Sequence, residues 1–173
     1  MLPLWHTPCT GVHGLFMHSE RAEAMDDAVI YVVDDDESIC RSLVRLFRSV
    51  GLPAQAFQSA KAFLEHSPAD RPACLVLDIR LPGLSGLDLQ AALSQADRDL
   101  PIVFITGHGD VPTSVRAMKG GAVDFLQKPF NDEDLLDCVR RALELSRRRR
   151  AERAERTELQ GRLKGLTPRE RQV

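Results

Sequence analysis

Cysteine is sparse and scattered in this chain. Cys9, Cys40, Cys74 and Cys138 include no Cys-x-x-Cys pair, and two of the four lie inside apolar patterns. That removes the usual zinc spacing and the thiol-redox motif, and buried free thiols of a reducing compartment are expected instead. A run of about 18 apolar residues, the length a membrane helix needs, is also missing. The N-terminus has no basic segment followed by an apolar core, so the protein is read as cytoplasmic, with no membrane partner. Neither sign of charge dominates: 23 Lys and Arg stand against 25 Asp and Glu, a net charge of -2. Nothing global therefore asks for nucleic acid or an anionic membrane, and any such binding has to be local. Gly-x-x-x-x-Gly-Lys is absent too, which sets aside a nucleotide-cradling loop.

What is present is a globular balance, 43% hydrophobic and 28% charged over 173 residues, enough for one ordinary domain with tails. The stretch from Ala73 to Gly86 organises it. Cys74 to Leu77 form an apolar run that stops at Asp78, after which Pro82, Gly83, Ser85 and Gly86 turn the chain. Such a run reads as a strand buried on both faces of a parallel sheet. A carboxylate at the carboxyl end of a central parallel strand stands where open α/β sheets place their ligands. Taken by itself, such an Asp is more simply a turn cap.

The rest of the chain supplies the sheet. Ala28 to Val33, Ala54 to Phe57, Pro101 to Ile105 and Val123 to Leu126 read as four more strands. Ile39, Leu43, Leu46, Phe47 and Val50 recur at spacings of three and four and make one helix face, ended by Gly51 and Pro53. Ser59 caps a short helix carrying Ala60, Phe63 and Leu64; further helices run over Leu87 to Leu93 and Val111 to Gly120. Asn131 or Asp132 caps a fifth, whose apolar positions are Leu135, Leu136, Val139 and Leu143. Five strands alternating with five helices, with crossovers too long for hairpins, predict an α/β fold: a flavodoxin-like parallel sheet of order 2-1-3-4-5, covered on both faces. In that order strands 1 and 3 are neighbours, so the acidic run Asp34-Asp35-Asp36-Glu37 is expected beside Asp78.

Converging carboxylates raise one another's proton affinity unless a cation lies among them. Oxygen donors with room for water suit Mg2+. The fourth strand adds the hydroxyl of Thr106 and the fifth the ammonium of Lys128. Carboxylates, a metal, an ammonium and a hydroxyl together suit a phosphoryl group, with a carboxylate as nucleophile. Asp36 has a plainer task, capping and charging the N-terminus of the first helix.

Four strings in order, Val-Val-Asp-Asp-Asp-Glu (32–37), Leu-Asp-Ile-Arg-Leu-Pro-Gly-Leu-Ser-Gly (77–86), Ile-Thr-Gly-His-Gly-Asp (105–110) and Gly-Ala-Val-Asp-Phe-Leu-Gln-Lys-Pro-Phe (121–130), resemble the receiver domain of two-component response regulators. The resemblance covers residues 28–145, and Thr-Gly-His-Gly-Asp-Val-Pro (106–112) is most similar to the FixJ-like branch. It implies that Asp78 accepts a phosphoryl group from a sensor histidine kinase. It further implies that Asp35, Asp78 and the backbone carbonyl of Arg80 hold Mg2+ with Asp34 behind them, that Thr106 and Lys128 contact the phosphoryl group, and that Phe125 is the aromatic switch. A cis peptide at Lys128-Pro129 and a homodimer formed on phosphorylation through Val115, Arg116, Lys119 and Asp124 belong to the same expectation. So does a signalling switch in place of an enzyme. The enzyme rival is a phosphatase with an Asp nucleophile, but haloacid-dehalogenase-like enzymes need a second Asp two places on, where this chain has Arg80.

The two ends read differently. Residues 1–27 hold the only Trp, Trp5, with His6, Cys9, His13 and His18, but no sustained period, and are expected to be a disordered extension. The His and Cys spacing matches no standard zinc set, and Met25 leaves open a later natural start. Residues 146–164 are expected to be a helical linker, with six arginines against two glutamates from Ser146 to Arg156. Arg148, Glu152 and Arg156, four apart, favour a solvated or coiled helix; contact with DNA phosphates is the alternative. Leu159, Leu163 and Leu166 add a short apolar stripe. From Gly165 to Val173, Thr167, Pro168 and Glu170 form a capping box, and the string resembles the opening of a LuxR-type helix-turn-helix domain. The expectation is a regulator of transcription that meets DNA only through an output domain largely outside this chain. The alternative is a stand-alone receiver acting through protein partners.

Overall fold

The computed structural model describes residues 27–67, 69–107 and 111–165. The expectations for residues 1–26, His108 to Asp110 and the capping box beyond Gly165 lie outside the described residues. Five strands, β1 (Val29–Val33), β2 (Ala54–Phe57), β3 (Ala73–Asp78), β4 (Ile102–Thr106) and β5 (Asp124–Gln127), pair in parallel in the order β2-β1-β3-β4-β5. The helices between and after them are α1 (Glu37–Ser49), α2 (Ala60–Glu65), α3 (Gly86–Gln95), α4 (Val111–Lys119) and α5 (Asp132–Gly165). This is the order the alternation of elements predicts.

Side chains on successive strand residues point to opposite faces, and the core divides accordingly. Ile30, Val32, Cys74, Val76, Val103 and Ile105 pack under α1 and α5. Val29, Tyr31, Leu75, Leu77, Ile102 and Phe104 pack under α2, α3 and α4. Every residue of β1, β3 and β4 is buried, which is why these strands read as unbroken apolar runs and not as alternating ones. Pro101 has no amide hydrogen to give to a ladder, and β4 begins one residue later, at Ile102.

Local caps fix where the helices start. Asp36 accepts from the amides of Ser38 at 2.7 Å and Ile39 at 3.4 Å at the head of α1. Ser59 accepts from Ala62 at 3.1 Å, and Ser85 with Asp88 closes a capping box on α3. Each removes orphan amides at a helix N-terminus.

The arginine-rich stretch from residue 146, expected to be helical, continues the fifth helix. With no Gly or Pro between Asp132 and Gln160 to stop it, α5 runs unbroken for 34 residues. Ser146 is buried, and its hydroxyl accepts from the amide of Ala73 at 3.1 Å. Past it, Arg149 pairs with Asp99 at 2.5 Å, Arg150 with Asp70 at 2.7 Å and Arg153 with Asp97 at 3.4 Å. The first turns of the arginine-rich stretch are thus docked against acidic loops at the amino edge of the sheet. Arg148 behaves as its spacing suggests, facing solvent and pairing with Glu152 at 3.7 Å.

Candidate functional site

At the carboxyl edge, register brings the charges together. Val33 stands opposite Leu77 and Asp78 opposite Ile105, so Asp34, the residue after β1, emerges next to Asp78. Thr106 stands opposite Gln127, and the amide of Lys128 donates to the Thr106 carbonyl at 2.7 Å. Lys128 is held by the strand ladder, and the cis Lys128-Pro129 peptide follows it.

The lysine ammonium reaches two carboxylates. Its Nζ lies 2.6 Å from Asp34 Oδ2 and 3.5 Å from Asp78 Oδ1. Asp34 is buried, and its other oxygen accepts from the Asp36 amide at 2.9 Å. Asp35 is exposed at the mouth. One carboxylate oxygen from each of Asp34, Asp35 and Asp78 falls within 4.8 Å of the others. Three carboxylates against one ammonium leave negative charge uncompensated. Burial pushes the Asp78 carboxyl above its ordinary range; Lys128 opposes this, Asp34 adds to it, and a backbone hydrogen bond from Arg80 opposes it again. A hard cation with oxygen preference fits such a donor set.

The other residues singled out in the sequence take distinct places. Thr106 is fully buried as the last residue of β4. Phe125 stands opposite Phe104 in the β4–β5 ladder and packs, partly buried, against the core under α3 and α4. Arg80 has its side chain in solvent. Val115, Arg116 and Lys119 are all exposed on α4. Asp124 is already engaged within the chain: it pairs with Arg141 of α5, accepts from Cys138 Sγ at 3.3 Å, and caps the Phe125 amide at 2.8 Å. A partner reaching Asp124 has to compete with Arg141.

Some residues escape the sequence reading. Val111, 75% exposed, joins Val115 and Met118, 43% and 46% exposed and already read as positions of this helix, in a single apolar stripe on α4. Their spacing of four and three was the available signal. Cys40 donates its thiol to the backbone carbonyl of Asp34 at 3.3 Å and so supports the acidic loop from below. No local pattern announces that contact.

The family model for the response regulator receiver domain matches residues 30–140. Nodulation protein W of Bradyrhizobium diazoefficiens is 54% identical over 151 residues, which are 87% of this chain and 66% of that protein. Transcriptional regulatory protein FixJ of Rhizobium meliloti is 40% identical over 149 residues, 86% of this chain and 73% of that one. Among solved structures, the response regulator StyR aligns with a TM-score of 0.80 at 45% identity, covering 84% of this chain and 74% of that one. The chain thus spans about two thirds of the length of the curated relatives it matches.

Proposed function

The chain belongs to the response regulator receiver family, and from that premise we propose that Asp78 is its phosphoacceptor, charged by a sensor histidine kinase to control transcription. The observation that carries this reading is the grouping of Asp78 with Asp34 and Asp35, the Lys128 ammonium reaching both Asp34 and Asp78. In the transfer, a phosphorus–nitrogen bond of the donor phosphohistidine breaks as a bond forms between phosphorus and an Asp78 oxygen, and the imidazole takes up a proton. Lys128 stands where it can follow the phosphoryl oxygens, and Asp34 keeps that ammonium in place. Thr106, at the end of the neighbouring strand, supplies a hydroxyl to the same group.

Asp35 and Asp78, with the Arg80 carbonyl, are the residues that would hold Mg2+, and Asp34 would stand behind them. When bound, that ion neutralises charge on the carboxylates and on the incoming phosphate. The names of Nodulation protein W and Transcriptional regulatory protein FixJ support an output in gene control through a DNA-binding segment, whose opening the string from Gly165 to Val173 resembles. The exposed stripe on α4 supports a homodimer as the active form.

Incubation with acetyl phosphate and Mg2+ tests the reading. Phosphoryl incorporation is expected in the wild type, and is expected to vanish in Asp78→Asn, in Asp35→Asn and in excess chelator. Undiminished labelling of Asp78→Asn would remove Asp78 from this role. Full labelling in chelator would remove the metal.

A further inference from the structure

Helix α4, which carries the exposed stripe, is tied to the neighbouring helix at its C-terminal end. Ala117 is its one buried residue among those described. Its C-terminal end is fixed three times over. The amide of Ala122 returns to the Ala117 carbonyl at 3.2 Å and that of Gly121, at a φ of +90°, to the Met118 carbonyl at 3.0 Å, a Schellman closure. The third tie comes from another helix: Gln90 of α3, itself only 6% exposed, donates Nε2 to the same Ala117 carbonyl at 3.0 Å. Gly120 leaves the room for it, since a Cβ there would stand 2.5 Å from Gln90 Oε1. At the other end Val111 is three-quarters exposed.

We infer that Gln90 is a positioning residue for α4, pinning its C-terminal end to α3 so that this end is the pivot about which the Val111 end moves. The Val111 end lies closer in the chain to Thr106, the residue that the phosphoryl group would draw. Anchored at Ala117, a small displacement after Thr106 becomes a rotation of the stripe Val111, Val115 and Met118, and not a translation of the whole helix. The cause of the movement rests on the reading of Asp78 as phosphoacceptor; the anchoring of α4 by Gln90 does not.

Amide hydrogen exchange and chemical shifts of the full chain separate the two. Without phosphoryl donor, Gln90→Met keeps the side-chain volume and removes the donor. It is expected to speed exchange of the 117–122 amides about tenfold, as loss of a buried hydrogen bond implies, while β3 and β4 stay within about twofold of wild type. Gly120→Ala, which displaces the Gln90 side chain and leaves it in the sequence, is expected to reproduce the same local loosening. An unchanged α4 in both variants, or a sheet loosened as much as α4 in both, would overturn the anchor. With acetyl phosphate and Mg2+, wild-type amide shifts are expected to change more at 111–115 than at 118–121, and in Gln90→Met to change along the whole helix. Equal changes at both ends of the wild-type helix would overturn the pivot. If Asp78 takes no phosphoryl group at all, the proposed function fails, and the donor-free comparison still decides whether Gln90 anchors α4.

Discussion

The α-carbon of Gly86 lies against the backbone carbonyl of Asp78, and the Gly86 amide donates to the Ile79 carbonyl at 2.9 Å. The start of α3 is therefore seated on the end of β3 with no room for a side chain: a Cβ at position 86 would collide with the Asp78 oxygen and stand 3.0 Å from the Ile79 α-carbon. Backbone atoms cannot swing away as a flexible side chain does. Gly86→Ala should cost about 1–3 kcal/mol, as overpacking of a tight interior does. At roughly 2–8 °C per kcal/mol for domains of this range of sizes, a thermal melt should show a clear drop. Phosphoryl incorporation should slow as well, because the displaced atoms belong to Asp78 itself. A variant with wild-type melting and wild-type labelling would contradict the seating.

The raised Asp78 carboxyl makes a signed prediction about pH. A carboxyl whose folded-state affinity for protons exceeds that of the unfolded chain favours folding in acid, below the ordinary carboxylate range. That contribution is lost as pH rises through the raised value. The first cause of the shift is burial, so at neutral pH the ionised group opposes the fold. In chelator at pH 7, Asp78→Asn should melt higher than wild type. The gap should narrow steadily as the pH is lowered toward the ordinary carboxylate range. Lys128 keeps Asp34 as its partner in that variant, so no ammonium is stranded. Melts that show Asp78→Asn less stable at pH 7, or a gap that widens in acid, would mean that the Lys128 contact outweighs burial.

Two kinds of contact hold the extended helix α5 to the amino edge of the sheet, and they should differ in strength. Ser146→Ala leaves the Ala73 amide, now bonded to the hydroxyl, buried without its partner, at a cost of about 1–3 kcal/mol. Arg150→Ala removes an ion pair whose aspartate, Asp70, is 97% exposed, and water and salt already screen such pairs. Urea or thermal unfolding should therefore rank Ser146→Ala well below wild type and Arg150→Ala close to it. The reverse ranking would place the stability of the docked helix in its arginines.

Much of this was legible before any coordinates. The apolar runs of β1, β3 and β4 announced buried parallel strands, and the order 2-1-3-4-5, which makes strands 1 and 3 neighbours, put Asp34 beside Asp78 from more than forty positions away. What stayed hidden depends on single contacts between distant segments. Ser146 reaches Ala73 across 73 positions and Gln90 reaches Ala117 across 27, and neither leaves a periodic trace. The side of α3 that carries Gln90 was legible although its partner was not: Gly86, Leu89, Gln90 and Leu93 form the inner stripe of α3, and an amide on an inward stripe needs a partner. That the helix continues past residue 146 was legible, because helix-forming capacity does not change there; what its arginines meet was not. The arginines looked like a solvated run, and three of them meet aspartates that only the fold brings near.

The α4 surface carries the last prediction. Val111, Val115 and Met118 expose an apolar stripe flanked by Arg116 and Lys119, and such a stripe on a domain surface suits a contact made only in one state. A two-fold axis beside α4 would set the stripe against its own copy. Phosphorylation should then favour a dimer, detectable by sedimentation with and without acetyl phosphate and Mg2+. Val115→Asp and Lys119→Glu should both weaken the phosphate-dependent association while leaving the melting temperature near wild type, since neither side chain is buried. Asp124 is tied to Arg141 within the chain, so Asp124→Asn should weaken association less than Val115→Asp does, and should instead loosen the packing of β5 on α5. Association indifferent to phosphate, unaffected by Val115→Asp, and lost when the chain is cut after Arg153 would move the dimer contact from α4 to the distal part of α5, where Leu159 is exposed.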